Sequence, residues 1–459
     1  VAMGAVRHTA RVVAIVVACL LVTALLAVEA RYADAAGVRR GAASHAPAAA
    51  WATGAEGPAT AATAPSRRVV AAEYLSEAAA LASWAGHPAA RGGASARLAW
   101  DDRWLLADSF SYNHDLARAC AVLSAVCNAE SCWYSGAAGG RPFAERTLAS
   151  LGFTAIRTDS YAWRSSLLDE VGAFLTGSHE GVAYTFASKM VDAPGEGPVT
   201  LVFAGVRGSY GFEWLTNLNL GEGPDHDGYR AAKAELARAL SAYVADLGAD
   251  PASTRILVTG HSRGGAVANL LAAGLDDLAG TSQVLAPASG VFAYTFAAPA
   301  STRAAGKGCH GNIFNVVGEG DLVPRLPLAS WGYGRHGVTV TIPRDGRAAS
   351  GGAAAAGAGD ALGPSDGAPA AMAAAFRANT GVGFDAGGAR RAADALDAFE
   401  AEAAVLTADD GTPPAPGELA SALGALAALD PAAVLASHYP DAYIAWLQSL
   451  GEADLAFAA

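Results

Sequence analysis

Gly260-His261-Ser262-Arg263-Gly264 sets a serine between two glycines at the G-x-S-x-G spacing. A neutral serine hydroxyl is a poor nucleophile. It attacks an acyl carbonyl only when an imidazole takes its proton and a carboxylate orients that imidazole. In a chain with 53 glycines the five-residue pattern alone says little, so its flanks decide. The apolar run 255–259 (RILVT) precedes it as a buried strand, and 266–271 (AVANLL) follows it as the first turns of a helix. Strand, sharp turn and helix in that order need residues without a Cβ on either side of the serine. The hydroxyl then projects at the carboxyl edge of a sheet, above a helix N-terminus whose N–H groups favour negative charge.

Where a serine acts in this setting, the acid follows a later strand and the histidine comes last. The run 312–317 (NIFNVV) is such a strand, and Gly318-Glu319-Gly320-Asp321 leaves it. Asp321 is the candidate acid and Glu319 its near competitor; Asp276 and Asp277 fall at the far end of the helix after the serine. Three histidines compete as the base. His310 precedes Asp321, His336 stands beside a strand just after it, and His438 sits in Ser437-His438-Tyr439-Pro440-Asp441 ahead of a helix that Pro440 can open. The residues alone leave that choice open. A developing oxyanion needs donors, and the Arg263 backbone N–H is one. The Ser209 N–H and hydroxyl are the second, because Arg207-Gly208-Ser209 leaves the strand-like run 199–205 (VTLVFAG). One such donor is worth about 3–4 kcal/mol in the barrier.

The elements that must position these residues alternate. Apolar residues recur at helical spacing over 115–129 and 231–247, and short continuous apolar runs occur at 199–205, 255–259, 291–296 and 312–317. That pattern predicts an α/β fold with a mostly parallel central sheet and helices on both faces. Residues 332–342 (GYGRHGVTVTI) read as a turn entering an edge strand. Residues 345–370 carry almost nothing that could pack a core and read as a mobile insertion. From 370 onward a helical pattern returns. The expected organisation is a leader at 1–30, a flexible linker at 31–68 rich in Ala, Gly and Pro, and one folded domain at 69–459.

Composition narrows the function. The 459 residues carry a formal charge of −12, which speaks against a nucleic-acid surface. The uncharged run 12–28 follows Arg7 and Arg11, so residues 1–30 read as a signal peptide or membrane anchor. The folded part is then expected to be extracellular or at the cell surface, and membrane-tethered if the leader stays. Cys120, Cys127, Cys132 and Cys309 follow the leader and permit two disulfides or buried thiols equally. They lack the paired C-x-x-C spacing of a zinc site, and no metal or cofactor is expected.

Four ordered blocks resemble the class 3 (fungal-type) lipase family in its bacterial branch. Arg207-Gly208-Ser209 with Glu213-Trp214-Leu215-Thr216-Asn217-Leu218 is similar to the family's oxyanion loop and the segment after it. His226-Asp227-Gly228-Tyr229 is similar to the block that opens a helix, and 260–264 with Ala266 to the elbow. Asn315-Val316-Val317 through Asp321-Leu322-Val323-Pro324-Arg325-Leu326-Pro327 resembles the segment around the acid, and His438 with Tyr439 and Tyr443 the histidine's setting. The resemblance implies an α/β-hydrolase fold, a Ser262–Asp321–His438 triad with Ser209 and Arg263 at the oxyanion, and a structural His226. It also implies hydrolysis of lipid or other carboxylic esters without a metal, with contact to a membrane surface. Tyr210, Phe212, Trp214 and Leu215 read as the lining of an acyl groove. A phospholipase or acyltransferase would use the same triad, and a non-catalytic surface protein could keep the same fold.

Overall fold

The computed structural model describes residues 61–76, 78–79, 93–128, 143–159, 182–207, 223–306, 310–327, 329, 332–346, 367–406, 417, 421, 424 and 430–458. An antiparallel hairpin opens it, β1 (Arg67–Leu75) and β2 (Gly93–Asp101). Then come α1 (His114–Asn128), α2 (Phe143–Ser150), β3 (Thr154–Asp159), β4 (Tyr184–Ala193) and β5 (Gly197–Val206). The middle of the chain supplies α3 (Asp227–Leu247), β6 (Thr254–His261), α4 (Arg263–Asp277), β7 (Val291–Phe296), β8 (Ile313–Gly318) and β9 (Val338–Ile342). Four helices and a strand close it: α5 (Gly367–Thr380), α6 (Ala386–Leu406), α7 (Pro431–His438), α8 (Pro440–Ser449) and β10 (Ala456–Ala458).

Eight strands form the main sheet in the order β10-β9-β8-β7-β6-β5-β4-β3. The pairs from β5 to β9 are parallel; β3, β4 and β10 join antiparallel at the two ends. The central strands are apolar throughout because both faces are covered, and their side chains alternate between two cores. Val202, Ala204, Val258 and Ala293 face Tyr229, Leu236 and Leu240 of α3 and Val267, Leu270 and Leu271 of α4. Leu201, Phe203, Leu257 and Phe292 face Leu116, Cys120 and Leu123 of α1 and Ile444 and Leu447 of α8. This mostly parallel sheet with helices on both faces is an α/β-hydrolase-like fold, as the strand and helix pattern predicts.

Three boundaries differ from expectation. β9 is not an edge, since β10 pairs with it and sets Phe457 opposite Val340. The stretch expected to be a linker ends early: Thr63 exchanges backbone bonds of 3.1 and 2.8 Å with Met190 and Asp192, and β1 begins at Arg67. The insertion is helical from Gly367, because alanine favours helix even where it packs little. Most of that insertion (347–366) and the leader lie outside the described residues. Cys120 is a buried free thiol and Cys127 is buried; Cys132 and Cys309 lie outside the described residues.

A buried ion pair joins the hairpin end to the sheet. Lys189 of β4 bonds Asp102 just past β2, with side chains 6% and 2% exposed. The Asp102 carboxylate also accepts from Trp100 Nε1 at 2.7 Å and from the Ser66 N–H and hydroxyl at 2.9 and 3.0 Å. Lys189 donates to the Leu151 carbonyl at 2.9 Å and lies 4.3 Å from the centre of the Phe153 ring. Burial alone would raise the Asp102 pKa, but the lysine charge and these donors hold it below the ordinary carboxylate value. Breaking such a pair strands a buried charge. Asp102→Ala should lose about 3–5 kcal/mol in urea unfolding, and an apolar double replacement with Lys189→Met should lose less.

Candidate active site

β6 delivers Ser262 and α4 receives the chain. Ser262 sits between them at φ 56°, ψ −128°, a conformation that L residues rarely adopt. Two glycines make the reversal sterically possible. A Cβ on Gly260 would lie 2.5 Å from the Gly264 carbonyl oxygen, and one on Gly264 would lie 2.5 Å from the Val206 carbonyl oxygen. Strand β5 therefore runs hard against the start of α4. The Ser262 N–H donates to the Phe296 carbonyl at 2.9 Å, and the Ala266 N–H donates to the Ser262 carbonyl at 3.1 Å. The hydroxyl stands at the sheet's carboxyl edge, and Arg263 is the first residue of a 15-residue helix.

His438 ends α7, and Tyr439 separates it from Pro440 at the start of α8. Its Nε2 lies 2.9 Å from Ser262 Oγ. Its Nδ1 lies 2.9 and 3.1 Å from the two Asp321 oxygens. With Nδ1–H donating to the carboxylate, Nε2 is left as the acceptor facing the hydroxyl. Asp321 is fully buried. Its Oδ2 also accepts from the Tyr443 hydroxyl at 2.8 Å, and its Oδ1 from the Val323 N–H at 2.9 Å. The Tyr443 oxygen in turn accepts from the Gly318 N–H at 2.9 Å. Burial, then the Asp321 charge, push the Tyr443 pKa well above its ordinary value, so it remains a hydroxyl donor.

His261 holds His438 from the other side. Its Nε2–H donates to the His438 carbonyl at 2.8 Å, and the two rings lie 5.0 Å apart. Burial and the neighbouring His438 hold its pKa well below the histidine value, so it is neutral. Arg335 is half-buried; it donates to the Ala298 carbonyl at 2.8 Å and bonds the Pro324 carbonyl, tying the end of β7 to the loop after Asp321. Burial lowers its pKa to about 10, which leaves it cationic.

The structure thus brings Ser262, Asp321 and His438 together and sends their competitors elsewhere. Glu319 accepts from the Arg344 N–H at 2.9 Å and its guanidinium at 3.2 Å. His310 pairs with Asp276 at 3.3 Å, and Asn312 donates to the same carboxylate at 3.0 Å. His336 packs on His310 with ring centres 4.8 Å apart, and its backbone carbonyl accepts from Asn269 and Asn315 at 2.8 Å each. His226 caps α3, its Nδ1 accepting from the Gly228 N–H at 3.2 Å. Ser209 and the residues read as a groove lining lie outside the described residues. The residue pattern did not single out His261, Arg335 or the tyrosine's bond to the acid. Only the adjacency of His261 to the serine offered a signal.

Residues 203–331 match the family described as Lipase (class 3). The matched segment runs from β5 through the elbow and past Asp321, and it stops short of His438. No curated protein matches the chain. Among solved structures, the Rhizomucor miehei lipase propeptide complex is 20% identical and shares 50% of this chain and 70% of its own, with a TM-score of 0.33. A lipase from Rhizopus microsporus var. chinensis is 18% identical over 50% and 76% of the two chains, with a TM-score of 0.34. Lipase II from Rhizopus niveus is 16% identical over 50% and 82%, with a TM-score of 0.33.

Asp441, in the first turn of α8, carries a titration of its own. It is 1% exposed, its Oδ2 is reached by the Ala78 N–H at 3.4 Å, and burial pushes its pKa to about 6 against the partial relief of Ser76 and Tyr74. A carboxyl raised in the folded state costs stability once it must ionise. The cost is absent below the unfolded value near 4, enters as pH rises, and is complete above about 6. Asp441→Asn should therefore be more stable than the parent at pH 8, by up to about 3 kcal/mol, and equal to it below about pH 4. Urea unfolding at the two pH values checks this.

Proposed function

We propose that this chain is an exported serine hydrolase that cleaves carboxylic esters of lipids through a Ser262–His438–Asp321 triad. The single observation that carries the reading is the 2.9 Å approach of His438 Nε2 to Ser262 Oγ, with Asp321 2.9 Å behind the same ring. The lipase (class 3) match over 203–331 supports the ester class, and the resemblance of the blocks around Asp321 and His438 supports a lipid substrate.

The reaction would run through two half-reactions. Ser262 Oγ attacks the acyl carbon as His438 Nε2 takes its proton. Asp321 holds the imidazole in the Nδ1–H tautomer and balances the imidazolium. The carbonyl oxygen becomes an oxyanion, received by the Arg263 N–H at the start of α4, with Ser209 as the second donor. Collapse expels the alcohol, which takes the proton from His438 Nε2, and leaves an acyl ester on Ser262. Water then gives a proton to His438 and its oxygen to the acyl carbon; the acyl carbon–Oγ bond breaks as His438 Nε2 returns that proton to Ser262 Oγ, and the carboxylic acid departs.

Export rests on residues 1–30, which would act as a signal peptide or anchor ahead of the folded domain. Among the described residues no helix is long and apolar enough to cross a membrane.

A serine-directed fluorophosphonate should label the parent and not Ser262→Ala. His438→Ala should lose kcat on p-nitrophenyl esters by on the order of 10⁴-fold, while His336→Ala keeps it. Labelling of Ser262→Ala, or activity lost with His336 and kept without His438, would overturn the triad. Product analysis on triglyceride, phospholipid and soluble esters reads the substrate class.

A further inference from the structure

Helix α6 lies between the acid and the base in sequence and touches the segments that carry both. A Cβ built on Gly320, one residue before Asp321, would lie 3.5 Å from the Ala389 carbonyl oxygen of α6. It would also lie 3.8 Å from Ala393 Cβ, and 3.5 Å from the hydroxyl of Ser437, the neighbour of His438. Both α6 and the end of α7 therefore come within ordinary van der Waals reach of the residue that precedes Asp321. Ala392, Ala393, Leu396 and Phe399 are buried, so α6 is seated by an apolar stripe.

Two arginines fasten its polar side to that loop. Arg325, four residues past Asp321, bonds Asp397 at 2.8 Å and Glu400 at 2.9 Å on α6, and the Glu319 carbonyl at 2.5 Å. Arg344, just past β9, bonds Asp394 at 2.6 Å, Asp397, and Glu319 at 3.2 Å. Asp394, Asp397 and Glu400 recur at helical spacing, so one face of α6 presents all three carboxylates to the two guanidiniums. Burial works against ionisation of Asp397, but the bonds from Arg344 and Arg325 outweigh it and hold its pKa below the carboxylate value. Isolated surface ion pairs contribute little. These arginines are only 16% and 23% exposed and each engages several acceptors, which is the arrangement in which a network counts.

We propose that α6 is a bracket that sets the Asp321 loop against His438, and that Arg325 and Arg344 are positioning residues for the triad. This rests on the catalytic reading above. The charges make the bracket asymmetric: among the described residues, Glu319, Asp394, Asp397 and Glu400 make their ion pairs with these two cations. Nearby Asp345 and Arg390 pair with each other at 3.2 Å and leave the excess unchanged. Removing one arginine does more than delete bonds. It leaves α6 and the loop repelling one another.

The test is kinetics of Arg344→Gln on a soluble short-chain ester between about 0.1 and about 1 M NaCl, which shortens the screening length from roughly 10 to roughly 3 Å. At low salt the variant should lose about tenfold in kcat with KM unchanged, since misplacement and not binding is at fault. Salt should lower the parent's kcat slightly and raise the variant's. Adding Asp394→Asn to Arg344→Gln should restore part of the loss. Amide exchange of residues 318–326 should quicken in Arg344→Gln whether or not the protein turns over ester. If the parent neither turns over nor labels, the catalytic reading fails and exchange alone decides the bracket. Parent-like kcat and exchange in Arg344→Gln, or a defect that salt and Asp394→Asn leave unchanged, would overturn the proposal.

Discussion

The reversal of the chain at Ser262 is the constraint on which the site depends. A strand must end, turn within one residue and become a helix, with a second strand pressed against the turn. Glycine is required at 260 and 264 because the atoms that a Cβ would strike are backbone, and backbone cannot move aside cheaply. The serine itself accepts a backbone conformation that costs of order 1–3 kcal/mol. That cost is carried by β6 and α4, almost every residue of which is buried. A strained residue at the rim of a rigid sheet is held still, and a nucleophile gains from being held still.

The other half of the site is a problem of distance along the chain. His438 follows Asp321 by 117 residues, yet its Nδ1 lies 2.9 and 3.1 Å from the two carboxylate oxygens. Three separate anchors enforce that agreement. His261, next to Ser262, grips the His438 carbonyl; the Tyr443 hydroxyl donates to Asp321 and accepts from the Gly318 N–H; and α6, in the bracket proposed above, spans the Asp321 loop and the end of α7. Each anchor joins segments that are remote in sequence. The triad geometry is thus a property of the whole carboxyl edge and of no single loop.

What the residues reveal on their own follows from how local each signal is. The four central strands and the elbow were legible because burial on both faces and the missing Cβ groups are written in adjacent residues. The hairpin β1–β2 was not read, since RRVVAAEYL and GASARLAWD alternate small residues that signal a strand weakly. β10 is three residues long and is a strand only because β9 offers it an open edge. The early start of α5 was hidden because a segment poor in large side chains was weighed for its core and not for its alanines. At the site, strand order singles out Ser262 and Asp321 as candidates, whereas residue pattern alone does not separate His310, His336 and His438. The buried His261 and Lys189 and the half-buried Arg335 make their contacts at long range, and nothing beside them in sequence announces it.

The measurement closest to the centre of this reading is mass spectrometry of the protein quenched in acid during turnover of p-nitrophenyl acetate. The expected result is a single acetyl ester on the peptide that contains Ser262, present in His438→Ala only in trace. Turnover with no covalent acetyl group, or with the group on another residue, would contradict it.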